Sequence, residues 1–261
     1  MKKIALICLL ALATSTASAW VRKVDEGIMI LAAKNLSEGA KANLAEYLGT
    51  SYEDDVHYLY DLEAKKKAKH TKEIHFLHLD ANLQLAAVEG DDALKAIEAA
   101  VDVVRNRASH SKAEVTTALR IIINLMCDIH NPANTRIEGV PHSYKDFIVQ
   151  FRAADMGKKK EDMMKSRWSR FWSFVPAGFT SAQWAYDIEI YSGGRAEELK
   201  KGTPREWADE MGHVAAKYYE EITPDVVLTR LRRNILVQET NCEYVGRASY
   251  RLSALLNDIL K

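Results

Sequence analysis

Ser111-Lys-Ala-Glu114, followed after nine residues by Asn124-Leu-Met-Cys-Asp128-Ile-His130-Asn-Pro132-Ala-Asn134, decides how the chain reads. Ser111 and Glu114 have the spacing of a capping box, in which each side chain satisfies a backbone N–H of the other's turn. Leu119, Ile122, Met126 and Ile129 then recur at three- and four-residue intervals, the period of an amphipathic helix. Asn124 and Asp128 are four apart, so they project from one face of that helix, one turn apart. Asp128 falls near the helix end, where a carboxylate is costly to bury unless it is paired or bound to a metal. His130-Asn131-Pro132 stops the helix and turns the chain, which can bring Asn134 back beside Asp128.

Other helices are signalled to either side. Ser37 can cap a helix carrying Leu44, Tyr47 and Leu48 on one face. Thr203-Pro204-Arg-Glu206 supplies a cap, a first-turn proline and an acid at the third position. That helix should run through Trp207, Met211 and Ala215 to near Ile222. Pro224 begins a new element, and a last helix runs through Val245, Leu252, Leu255 and Ile259. His142 and Asp146 repeat the four-residue spacing of a helical pair, and Gly193-Gly194 marks a loop. Neither alternating strands nor a fixed repeat stands out. The expectation is an all-α fold, one multi-helix domain over residues 20–261. Lys65-Lys66-Lys67 and Lys158-Lys159-Lys160 read as solvated basic clusters.

Residues 1–19 read as a secretory signal peptide: Lys2 and Lys3 begin it, Ile4 to Ala13 is apolar, and Ala17-Ser18-Ala19 is a small-residue cleavage site. The expected mature chain starts at Trp20 and is exported to a bacterial periplasm or beyond it. The apolar run is too short to remain as a membrane anchor. Cleavage would leave Cys127 and Cys242, whose pairing is open. With 36 basic and 36 acidic residues, the chain has no global field to draw it to nucleic acid or an anionic membrane. A polyanionic substrate would have to be held by local charge or by metal, and no stable protein partner is implied.

Upstream of the central helix, Asp61 and His75 stand in the contexts Leu59-Tyr60-Asp61 and Ile74-His75-Phe76. Taken singly, all these polar residues are ordinary caps, turns and core histidines. As an ordered set they resemble the secreted trinuclear-zinc nucleases that act on single strands, a family sharing its fold with bacterial zinc phospholipase C. In that family cleavage exposes an N-terminal tryptophan that binds zinc through its amino group and carbonyl oxygen, and here it would expose Trp20. The family's Trp-Ala-Asp segment is similar to Leu59-Tyr60-Asp61, and its His-Phe segment to His75-Phe76. Its central His-x-x-x-Asp-Ile-His-Gln-Pro-Leu-His is similar to Asn124 to Asn134, and its later His-x-x-x-Asp matches His142 and Asp146. The closing helix resembles Gly246 to Asn257.

The departures are local. A histidine expected after the tryptophan is Asp25 (or Glu26), and two central ones are Asn124 and Asn134. Oxygen-rich donors suit calcium, magnesium or manganese better than zinc. The resemblance therefore implies up to three zinc sites, or fewer or other ions, drawn from Trp20, Asp25, Asp61, His75, Asn124, Asp128, Asn134, His142 and Asp146. It implies a hydrolase that cleaves phosphoester bonds of single-stranded DNA, RNA or nucleotides. Two ions bridged by Asp128 would polarise the phosphate and generate hydroxide, and a third would stabilise the leaving oxygen. Asp61 would orient or deprotonate the attacking water, Phe76 would stack a base, and His78 would face the base edge. The alternative is a catalytically impaired descendant that binds a metal or ligand in the same cleft. A phospholipase, suggested by the shared fold, comes last because no exposed apolar helix stands out.

Overall fold

A computed structural model describes residues 20–64, 72–90, 92–143, 147–153, 163–173, 175 and 178–261. The signal peptide, Asp146 and both lysine clusters lie outside these residues. Helix makes up 67% and strand 9% of the structure, which bears out the mostly helical class.

The first helix, α1 (Arg22–Lys34), turns Val24, Asp25, Ile28, Leu31 and Ala32 inward at helical spacing. α2 (Glu38–Leu48) begins where Ser37 accepts from the Ala40 N–H. A 3-10 segment, Tyr52–His57, runs straight into α3 (Tyr58–Ala64). A second, Lys72–His75, leads to β1 (Leu77–Leu79), and Asp92 caps α4 (Ala93–Arg105). α5 (Lys112–Ile129) starts with both halves of the capping box formed. It packs against α4, α1, α2, α3 and the 3-10 segment before it, so its last turns are enclosed on all sides.

The chain then turns through Pro132–Asn134 into β2 (Thr135–Ile137), which lies parallel to β1 with Leu77 opposite Thr135. β3 (Ile148–Arg152) and β4 (Met163–Arg167) pair antiparallel, and α6 (Trp168–Phe171) follows. α7 (Ser181–Ser192) carries a Thr180–Gln183 capping box, and α8 (Ala196–Leu199) comes next. α9 (Pro204–Glu221) begins at the Thr203 cap as expected. β5 (Val227–Leu228) adds to β3, giving the order β4-β3-β5. α10 (Arg230–Glu239) and α11 (Val245–Ile259) close the fold.

One apolar cluster runs from Trp20 to Leu260 through these helices. Helices approach their neighbours closely at two glycines. A Cβ on Gly212 of α9 would stand 2.8 Å from Leu79 Cδ2, and one on Gly27 of α1 would stand 3.1 Å from Trp184 Cδ1 of α7. Around α6 and α9 the aromatics interlock: Trp168 lies 4.9 Å from Trp172 at 88° and 4.7 Å from Tyr219 at 29°.

Several expectations are corrected. Short strands are present, but β1 and β2 span only three residues each, too few for period-two alternation to register. Gly193–Arg195 is a 3-10 turn linking α7 to α8 rather than an open loop. Pro224 sits in a turn, and the next helix waits for the Thr229 cap. His142 lies in a turn rather than on a helix. Cys127 and Cys242, whose pairing the sequence leaves open, are both free thiols. No described helix is long and apolar enough to cross a membrane.

Candidate functional site

The enclosed end of α5 carries two polar side chains into the core, and their partners come from the segments packed around it. Asp128 is 1% exposed. Its Oδ1 accepts from the Tyr60 hydroxyl at 2.7 Å, and its Oδ2 lies 2.8 Å from His75 Nδ1. The Tyr60 and His75 rings stack at 4.2 Å. One turn earlier on α5, Asn124 Oδ1 accepts from the Leu59 N–H at 3.0 Å. That bond fixes the amide's orientation, because a backbone N–H can only donate. Asn124 Nδ2 then has no hydrogen-bond partner among the described residues. The amide therefore turns N–H groups, not oxygen, toward the remaining space.

A second carboxylate–histidine pair lies alongside. Asp25 Oδ2 is 2.7 Å from His57 Nε2, both groups buried, and the His57 ring stands 5.7 Å from that of Tyr60. Trp20 is buried, and its indole N–H donates to the Cys127 carbonyl at 3.1 Å, beside Asp128. Burial first, then the Asp25 and Asp128 carboxylates, push the Cys127 thiol well above its ordinary range.

The structure thus gathers Trp20, Asp25, His75, Asn124 and Asp128 around the end of α5. The other predicted residues stand differently. Asp61, next to Tyr60, leans outward and pairs with Arg22 at 3.3 Å, half-exposed. Asn134 is buried, with Nδ2 lacking a partner among the described residues. His142 donates from Nε2 to the Tyr219 carbonyl at 2.9 Å and packs against Phe147. Asp146 is outside the described residues. Phe76 is fully buried, with the Arg136 guanidinium 4.1 Å above its ring, so a base cannot stack on it directly. His78 lies 3.4 Å from Glu73, and burial, its largest influence, lowers its basicity.

Among the described residues, these donors are not arranged as a three-zinc set. Both Asp128 oxygens are engaged by side chains, Asn124 has committed its oxygen to backbone, and Asp61 is held by a cation. In sequence, Tyr60 takes the place of the alanine in the Trp-Ala-Asp segment of the resemblance. Among the described residues, no group of three or more His, Cys, Asp or Glu side chains is placed to hold an ion.

A cleft of about 560 Å³ opens beyond Phe76, at the C-terminal ends of β1 and β2. His78, Arg136, Glu138 and Ser143 supply its polar wall, and Leu79, Val88, Val140 and Pro141 supply much of its apolar one.

Sequence reasoning missed His57, Tyr60 as a donor, and Arg136 as the cover on Phe76. His57 and Tyr60 are three apart, which places them on one helical face, but nothing local links His57 to Asp25.

On the far side of α5, His130 is fully buried. Its Nδ1 donates to the Met126 carbonyl and its Nε2 accepts from Arg251, which also pairs with Glu210. Burial and then Arg251 hold the imidazole well below its usual basicity. A histidine with a depressed folded-state pKa contributes stability that is fully present above about pH 6.5 and is lost as pH falls below it. Wild type should therefore lose more stability than His130→Gln between pH 7 and pH 5, by up to about 1.4 kcal/mol per pH unit. Urea unfolding of both proteins at each pH checks this, and parallel curves would refute it.

No protein-family model matches this chain, and no curated protein matches it in sequence.

Proposed function

We propose that the protein keeps the scaffold type of the trinuclear-zinc nucleases and zinc phospholipase C, and binds a nucleotide or the end of a single strand without zinc-dependent hydrolysis. The observation that carries this reading is the Tyr60–Asp128–His75 cluster, which satisfies the central carboxylate with protein groups in place of an ion. Asn124 supports it by presenting N–H donors where a ligand lone pair is needed. The cleft supports the binding half: a base can lie on a guanidinium plane as well as on an aromatic ring, and Arg136 lines the wall above Phe76. His78 would meet the base edge.

A metal-dependent phosphodiesterase is the second reading. It is favoured by Trp20, whose buried indole sits beside Asp128 at the expected start of the mature chain. The two readings separate in one preparation, a protein beginning at Trp20 with a free amino group. Supplied in turn with zinc, manganese and calcium, it should bind a fluorescent nucleotide, retain less than one zinc per chain and leave single-stranded DNA and RNA uncut. Three equivalents of zinc together with cleavage would establish the hydrolase instead.

A further inference from the structure

We infer that the cleft selects guanine among the bases, with the Glu138 carboxylate accepting both N–H donors of the guanine Watson–Crick edge. The inference deepens the cleft reading above and rests on it for the presence of a base. Side chains alternate along a strand. In the parallel pair β1–β2, Leu77, Leu79, Thr135 and Ile137 are buried on one side. His78 and Arg136, opposite each other in register, rise from the other. The ladder continues one residue past β2, where the Glu138 N–H donates to the Leu79 carbonyl. Glu138, two residues beyond Arg136, thus rises from the same side, and all three side chains line the cleft.

What these groups can offer a ligand differs. Arg136 is held by Glu73 and lies 4.1 Å from the Phe76 ring. Burial lowers the basicity of His78, so its imidazole is neutral at pH 7, and its buried Nε2 faces Glu73 at 3.4 Å. The hydrogen belongs on that nitrogen, which leaves the Nδ1 lone pair as an acceptor. Ser143 Oγ is committed to the Ile137 N–H and the Val140 carbonyl. Glu138 is exposed and forms no ion pair among the described residues. An ionised carboxylate only accepts hydrogen bonds, so this wall sorts bases by their donors. Guanine sets two neighbouring donors, N1–H and the 2-amino group, within reach of one carboxylate. Adenine and cytosine offer one amino group beside a ring-nitrogen lone pair, and uracil one N–H between two carbonyls. Each of these would turn a lone pair toward Glu138. Residues two apart on a strand are roughly 7 Å apart, so a purine lying at Arg136 presents its edge, not its middle, to Glu138.

Isothermal titration calorimetry with the 5′-monophosphates of guanosine, inosine, adenosine, cytidine and uridine tests this, since the phosphate is constant through the series. Guanosine monophosphate should bind wild type at least about tenfold tighter than each of the others, the discrimination of a bidentate pair. Inosine monophosphate, which lacks only the 2-amino group, is the critical comparison, and in wild type it depends on no variant's folding. Glu138→Gln exchanges one acceptor for a donor. It should weaken guanosine monophosphate binding by about tenfold and abolish the advantage over inosine monophosphate. Equal affinity for all five ligands, or a guanine preference that Glu138→Gln leaves intact, overturns the proposal while the cleft reading stands. If none of the five binds, the cleft reading falls and the guanine proposal falls with it.

Discussion

Replacing Glu210 by alanine should cost about 3 kcal/mol or more of folding stability, because it leaves a buried guanidinium without its counter-charge. Arg251 is 2% exposed. It donates to the Leu199 carbonyl, to His130 and to Glu210, and only the last is negative. Its neighbour Arg247 adds a second positive charge, held by Glu210 and Glu243. Arg195 also binds Glu243, so removing Glu210 leaves Arg251 and Arg247 only a carboxylate that a third guanidinium already holds. The side chain of Glu210 is itself 37% exposed, so water enters after the change and keeps the loss at the lower end for buried pairs. The double change Glu210→Ala/Arg251→Met should recover much of it, since no buried charge is then left without a partner. Chemical denaturation of the single and double variants reads this directly. A Glu210→Ala protein as stable as wild type would show that Glu243 and solvent already compensate Arg251.

Tyr60→Ala should be about as damaging, at about 3–5 kcal/mol, by opening a cavity in the middle of the polar cluster. The ring is 2% exposed, stacks on His75 and approaches His57. Its hydroxyl donates to Asp128. Tyr60→Phe keeps the ring and removes only that donor, so it should cost about 1–3 kcal/mol, the range for leaving a buried partner less satisfied. The order matters more than either number. If Tyr60→Phe were as damaging as Tyr60→Ala, the hydrogen bond to Asp128 and not the packing would be what the cluster depends on. If neither change mattered, Tyr60 would not be filling the space that the proposed function assigns to it.

Much of the helical frame was legible because its signals are local. Ser37, Ser111 and Thr203 each cap the helix that they announced, since a cap needs only the residue three positions on. The apolar period placed α5 and α11 correctly for the same reason. The site was legible in part. Trp20, Asp25, His75, Asn124 and Asp128 do converge. Asp61 and Phe76 lie next to where they were looked for, but Arg22 and Arg136, distant in sequence, change what each presents.

The sequence by itself determined the helices, their starts, and the burial of Asn124 and Asp128 on one face of α5, because periodicity and capping act within a turn or two. Tertiary structure alone decided what those polar groups do. Asn124 was expected to offer oxygen, and it offers N–H, because the backbone of Leu59 arrives to take the oxygen. Asp128 was expected to bridge ions, and its two oxygens are met by Tyr60 and His75. A buried polar group takes whichever partner the packing delivers, and those partners come from segments more than fifty residues away.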